Sequence, residues 1–379
     1  MCVFTMKNKV NVEKNRNEIR PITGLRAVAA FGVYCTHFGL PGSSPSWLTN
    51  IPPNGGLGVP FFFVLSGFVL AIAYEDRPLI PLKFAIDRFA RIGPTYYLAF
   101  VIAVIYQTVI IGPKFDYVFI VHLFALQSWF PTMDSGVSFN GPAWTISVEI
   151  FLYALFPLLL SLTSNRKSIF SKWWIIFLGG NLLSLIPFGI HLYNLGPLIG
   201  LHNTQVWTYF LPTHYLGLFV VGISGCRARS DISRIFTKNK IGPILCDCSI
   251  LLFAVILLKI NFKDPNHPLF SKSAQFWLIG LPTVWILVLV SVNSTTSHFA
   301  KLFGSAPFWL AGKISMVFYL IHVPIVWCIS RVYPDTSYEI KLASTVILSL
   351  VIHFAIEVPS NLFIRRRFDL YQKKLINKP

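Results

Sequence analysis

The sequence predicts an all-α polytopic membrane protein with about ten transmembrane helices around a central polar cavity. Three observations predict it. Of 379 residues, 54% are hydrophobic and only 12% charged, about half the charged share of a soluble globular domain. Apolar runs of about 20 residues, the length that crosses a bilayer, recur along the chain. The basic residues lie between those runs.

The expected spans are 26–42, 57–74, 94–112, 144–163, 173–192, 206–225, 241–260, 274–293, 314–332 and 340–358. They divide the chain into a cytoplasmic N-terminal segment, 1–25, a transmembrane domain, 26–359, and a basic cytoplasmic tail, 360–379. The net charge of +17 would suit a nucleic-acid binder if it formed one patch. Instead Arg166 and Lys167, Arg227 and Arg229, and Arg365 to Arg367 each follow an apolar segment, as the positive-inside bias of cytoplasmic loops requires. With both termini inside, all 32 Lys and Arg residues except Lys114, Lys259, Lys263, Lys272, Arg331 and Lys341 fall on the cytoplasmic side. No nucleic-acid partner is expected.

Residues 115–130 form a further apolar stretch. Counting it as a crossing would invert every later loop, so it reads as an interfacial or re-entrant helix. Residues 41–56, rich in Pro, Gly and Ser, read as a helix-breaking extracytoplasmic connection. The six cysteines predict no disulfide. Cys246 and Cys248 have no His or Cys cluster beside them in sequence, so no metal site is expected. The polar N-terminus lacks the apolar core of a cleavable signal.

Ionisable groups are expensive within a bilayer and mark cavities or partners. His37, Glu149, His214, His322 and Glu357 are such groups. Arg26 and His37 are 11 residues apart, three helical turns and about 16 Å along one face. Arg88 and Arg91, three apart, share a helix face and offer two guanidinium forks to a phosphate. Glu149 enters a span among aromatic and aliphatic neighbours and needs a partner. Each has a plainer reading: a hydrogen-bonded structural histidine, basic anchors at the membrane edge, a structural ion pair. His322, close to Pro324, reads as structural or cavity-lining. Ser66 and Ser147 lack a surrounding Ser-His-acid order and read as small packing residues.

Five segments carry a resemblance: IRPITGLRAVAAFGVYCTHF (19–38), GGLGVPFFFVLSGF (55–68), RFAR (88–91), WTISVE (144–149) and KISMVFYLIHVP (313–324). In this order they resemble the acyltransferase 3 family of integral membrane acyltransferases, over most of residues 19–360. The resemblance implies an O-acyltransferase that moves an acetyl or short acyl group from cytoplasmic acyl-coenzyme A (acetyl-CoA or another acyl-CoA) to a hydroxyl. The acceptor would be an extracytoplasmic glycan or a small molecule. It implies a bacterial-type inner (plasma) membrane location, and that Arg26 and His37 match the family's Arg-and-His pair. Arg88 and Arg91 match its paired arginines, and Glu149 the acid of its Trp-x-x-Ser-x-Glu motif. Ile150 departs from the second acidic residue of many relatives. The fused esterase-like domain of some is not seen, which suggests transfer without a helper or hand-over to a separate extracytoplasmic partner.

On this reading Arg26, Arg88 and Arg91 hold the donor's phosphates at the cytoplasmic side. The thioester then reaches inward to His37, the general base or acyl acceptor, while Glu149 approaches from the other face to orient a sugar hydroxyl or the histidine. The competing class is a secondary transporter or flippase of an envelope glycan or small metabolite, which would show no acyl-CoA dependence. A non-catalytic assembly subunit would not need the Arg and His set.

Overall fold

The computed structural model describes residues 18–130, 132, 136–164, 172–193, 209–236, 241–259 and 272–376. The expected anchors Arg166 and Lys167 and most of the N-terminal segment lie outside the described residues. Among those residues there is no strand. The protein is an all-helical, multi-pass membrane protein.

The first helix, α1, runs Arg20–Phe38, opened by Pro21 in its first turn and closed at Gly39, whose φ of 75° suits a residue without a Cβ. Next come α2 (Gly58–Ala73) and α3 (Pro81–Tyr106), extended by a π-turn, Gln107–Ile111. A seven-residue α4, Tyr117–Leu123, follows, then α5 (Trp144–Ser164) and α6 (Trp173–Leu192). The second half comprises α7 (Leu216–Phe236), α8 (Ile241–Lys259), α9 (Lys272–Val292), the short α10 (His298–Gly304) and α11 (Ala306–Val332). The chain ends with α12 (Tyr338–Ile352), a π-turn over His353–Glu357 and α13 (Val358–Ile376).

Among the described residues, six helical segments are long and apolar enough to cross a membrane: Ser46–Ala73, Pro81–Ile111, Gly141–Thr163, Ile241–Lys259, Ala306–Val332 and Tyr338–Lys374. The expected ten are therefore supported at six. The other four fall on α1, α6, α7 and α9. In α6 and α9 the apolar stretches, Trp173–Pro187 and Gly280–Val292, are shorter. Charge interrupts α1 at Arg26 and α7 at Arg227.

Several boundaries differ from the sequence expectation, each for a packing reason. Residues 41–56 are not simply a break, because helical turns from Ser46 run directly into α2. Their glycines serve close approach: a Cβ on Gly55 would stand 1.8 Å from the Gly32 carbonyl oxygen of α1. Helix α3 begins thirteen residues before the expected start at 94, so Arg88 and Arg91 sit inside a helix and not at its mouth. Helix α7 continues past 225 to Phe236, held by Arg229, which donates to Glu75 beyond the end of α2 at 2.8 Å. The tail is also helical. Lys83 pairs with Asp369 at 2.6 Å and Arg365 with Asp87 at 3.2 Å, so α13 docks on the start of α3.

The 115–130 stretch does not cross, since seven helical residues rise only about 10 Å. Asp116 caps α4 by accepting from the Val118 and Phe119 amides at 2.9 and 3.3 Å. Tyr96 of α3 donates to the His122 carbonyl. Gln127 and Ser128 donate to the carbonyls of Ala143 and Trp144, each at 2.7 Å. These side-chain bonds satisfy backbone that no long helix covers.

The interior is aromatic. Phe63, Phe68, Phe156, Phe219 and Tyr215 are fully buried, whereas Val101, Ile105, Leu158, Leu162, Ile347 and Val351 are exposed, as lipid-facing positions are. Glycines bring helix backbones together: Gly67 and Gly222 at the α2–α7 crossing, Gly180 and Gly217 between α6 and α7, Gly24 and Gly312 along α1.

Candidate active site

The helices line a cavity of about 510 Å³. Arg26 enters it from α1, Arg88 and Arg91 from α3, and Glu149 and Tyr153 from α5. His353 and Glu357 enter from the π-turn beneath α12. The placements follow from helix geometry: the spacings of three (Arg88, Arg91) and four (Glu149, Tyr153) put each pair on one face.

Within the cavity Tyr153 donates its hydroxyl to Glu149 Oε2 at 3.2 Å. His353 Nδ1 meets Glu357 Oε2 at 2.6 Å. The Arg88 guanidinium lies over the rings of Phe84 and Tyr153, 5.5 and 5.9 Å from their centroids. Its Nε is buried without a hydrogen-bond partner. A buried, unmatched guanidinium N–H is costly and is the kind of donor a phosphate oxygen satisfies. Ser66 of α2 also lines the space.

At the cavity edge, Glu18, just before α1, accepts from Lys313 Nζ at 2.7 Å, Trp309 Nε1 at 2.9 Å and Thr23 Oγ1 at 3.2 Å. Burial alone would raise the carboxyl's pKa, but these bonds prevail and hold it below its ordinary range.

His37 is elsewhere. It lies near the other end of α1, exposed on one side, with its Nδ1 2.9 Å from the Val33 carbonyl oxygen and 3.2 Å from His322 Nε2. His322, on α11, is completely buried, and its Nδ1 is 2.7 Å from the Tyr319 carbonyl oxygen. Phe318 stacks on the His322 ring, while Tyr34 and Phe38 of α1 pack around it. Neither histidine lines the cavity. Tyr319 connects the two regions: it lines the cavity, packs against Phe62, and its ring centroid is 5.9 Å from that of His322.

Thus Arg26, Arg88, Arg91 and Glu149 come together, and His37 does not join them. The sequence expects Glu149 to approach from the other face and orient a sugar hydroxyl or the histidine; in the structure Glu149 lines the cavity and His37 does not. Glu149 sits where three arginines can balance its charge, which a carboxylate among apolar side chains requires. His37 instead pairs with His322, a residue that its sequence position beside Pro324 marks only as structural or cavity-lining. Reading along single helices does not single out Tyr153 or His353, both of which line the cavity. The signal for both was a partner four residues away, Glu149 for Tyr153 and Glu357 for His353.

Two curated relatives show what the chain is similar to. Acyltransferase MdmB of Streptomyces mycarofaciens is 26% identical over 320 residues, covering 80% of this chain and 78% of that one. O-acetyltransferase OatA of Staphylococcus aureus is 27% identical over 370 residues, covering 89% of this chain but 56% of its own length, so the chain spans little more than half of that relative. No solved structure matches significantly. Residues 20–358, which include every charged group of the cavity but Glu18 and Arg365, match the acyltransferase 3 family profile, described as an acyltransferase domain, and the chain belongs to that family.

Proposed function

We propose that this membrane acyltransferase moves an acetyl or other short acyl group from cytoplasmic acyl-CoA to a hydroxyl of an extracytoplasmic glycan. The observation that carries the proposal is the convergence of Arg26, Arg88 and Arg91 on one cavity, with a buried Arg88 N–H still to be matched. Coenzyme A is a thioester carrier bearing several phosphates, and arginine forks suit phosphate oxygens. The names of the relatives, an acyltransferase and an O-acetyltransferase, support an oxygen acceptor.

On this reading the donor's phosphates occupy the Arg side of the cavity, which faces the cytoplasm together with both termini. The pantetheine arm passes Phe62 and Tyr319 toward His37, near the opposite end of α1. His37 Nε2 removes the acceptor hydroxyl's proton or carries the acyl group itself. Glu149 balances the arginines and orients polar groups of the donor. Ten helices around the cavity, an inner (plasma) membrane location and hand-over to a separate extracytoplasmic protein belong to the same proposal.

Mass spectrometry of envelope glycans from cells with and without the protein tests it. An acyl mass should disappear on deletion, return with the wild-type gene, and fail to return with His37→Gln or the double Arg88→Ala, Arg91→Ala variant. An unchanged acyl pattern in the deletion strain would overturn the glycan acceptor.

A further inference from the structure

The two histidines have defined tautomers. A backbone carbonyl can only accept, so the nitrogen facing it must carry the hydrogen. Tyr319 O, 2.7 Å from His322 Nδ1, puts the His322 hydrogen on Nδ1 and leaves a lone pair on Nε2. Val33 O, 2.9 Å from His37 Nδ1, likewise puts the His37 hydrogen on Nδ1 and leaves the lone pair on Nε2. His322 Nε2, which carries the lone pair, is then 3.2 Å from His37 Nδ1, and the hydrogen on Nδ1 is shared between Val33 O and His322.

We propose that His322 is the positioning residue of His37: it holds His37 in the Nδ1–H tautomer, so that Nε2 is the reacting nitrogen, and strengthens its bond when His37 becomes an imidazolium. The inference rests on the reading of His37 as general base. In the step itself, the acceptor O–H proton moves to His37 Nε2 as the oxygen bonds to the thioester carbonyl carbon. The C–S bond then breaks, and the departing thiolate takes the proton from Nε2. His322 stays neutral throughout, because its own hydrogen is committed to Tyr319 O. The logic is that of an orienting group behind a catalytic imidazole, with a neutral acceptor in place of a carboxylate.

The surroundings suit this role. The His322 ring is sealed by Tyr34 and Phe38 from α1 and by Phe318 and Tyr319 from its own helix. Tyr338 of α12 meets Tyr34 edge-on and Cys35 Sγ at 3.9 Å, with the exposed Glu339 next in sequence. Tyr34, Cys35, Tyr319 and Tyr338 ordinarily titrate above neutral pH, so the pair acts without an adjacent charge from them.

The test compares His322→Asn with His322→Gln in the full chain reconstituted into proteoliposomes, with acetyl-CoA as donor, isolated envelope glycan as acceptor and thiol release as readout. Asn retains a donor for Tyr319 O but is too short to accept from His37. Gln can place its amide oxygen near the position of Nε2. His322→Asn should lower kcat about 10- to 100-fold, by analogy with loss of the outer-shell partners that orient metal-ligating histidines. The acid limb of its pH–rate profile should move to lower pH, and the KM for acetyl-CoA should not change, because the donor cavity is separate. His322→Gln should recover most of the rate. A wild-type rate and pH limb in His322→Asn, with His37→Gln inactive, would overturn the positioning role alone. Full activity in His37→Gln would overturn the general-base reading beneath it.

Discussion

A single methyl group at the α2–α7 crossing should loosen the wall of the cavity. Built on Gly67, a Cβ would lie 2.0 Å from the Phe219 carbonyl oxygen; on Gly222, 2.0 Å from the Val64 carbonyl oxygen. In both cases the obstacle is backbone, which has no rotamer to change, and ordinary contact begins near 3.4 Å, so the helices must part by more than 1 Å. Val64, Phe68, Phe219 and Ile223, all fully buried around the crossing, would then lose part of their contact. Overpacking of this kind costs roughly 1–3 kcal/mol, against a gain of about 1 kcal/mol for replacing a helical glycine with alanine. The expected net effect of Gly67→Ala or Gly222→Ala is a loss of up to about 2 kcal/mol, a melting temperature lowered by about 1 to 3 °C, together with lost activity, because α2 carries Phe62 and Ser66 into the cavity. Gly179→Ala in α6 is the control: a Cβ there meets nothing within 4 Å, so only the propensity gain applies. Thermal unfolding of the purified proteins in one detergent reads the difference. If Gly222→Ala melted at or above wild type, like Gly179→Ala, the close-approach argument would be refuted.

Three further outcomes are expected. The Arg88→Ala, Arg91→Ala variant should raise the KM for acyl-CoA roughly tenfold to over a hundredfold, since a hydrogen bond to a charged group contributes about 1.5–3 kcal/mol; accumulation should stay near normal, and a wild-type KM would leave these residues as anchors only. Because the Glu18 carboxyl is held below its ordinary range, its tether to Lys313 and Trp309 should stabilise fully above that range and be lost as pH falls through the lowered folded-state value; Glu18→Gln should remove this acid-dependent step from the melting profile measured against pH. A reporter fused after Pro379 should report from the cytoplasm, given the basic residues of α13, and an external signal would contradict the inside placement of the C-terminus.

The membrane class was legible in the sequence because lipid imposes its requirement locally: a run of about 20 apolar residues declares itself without reference to any partner. Arg26 and Glu149 stood out as candidates for a similar reason, since a charge in such a run is costly, and Arg88 and Arg91 through their spacing of three; the structure places all four on one cavity. Element ends were harder to read. Proline at Pro81 and glycine at Gly55 have two meanings, a stop or a permitted helix start and close approach, and only the neighbouring helix distinguishes them. The docking of α13 through Lys83–Asp369 and Arg365–Asp87 was likewise invisible, because each pair joins residues almost 300 positions apart.

By itself, then, the sequence determined that this is a helical membrane protein with costly arginine, histidine and carboxylate groups in or beside its apolar runs. Only the tertiary structure decided their grouping. Periodicity reports which residues share a face of one helix, and so set Arg26 and His37 on the same side of α1. It carries no information about which other helices meet that face, or where along it. Packing brought Arg88, Arg91 and Glu149 to one end and His322 to the other, separating the cavity arginines from the histidine pair by the length of three helical turns and the rings of Phe62 and Tyr319.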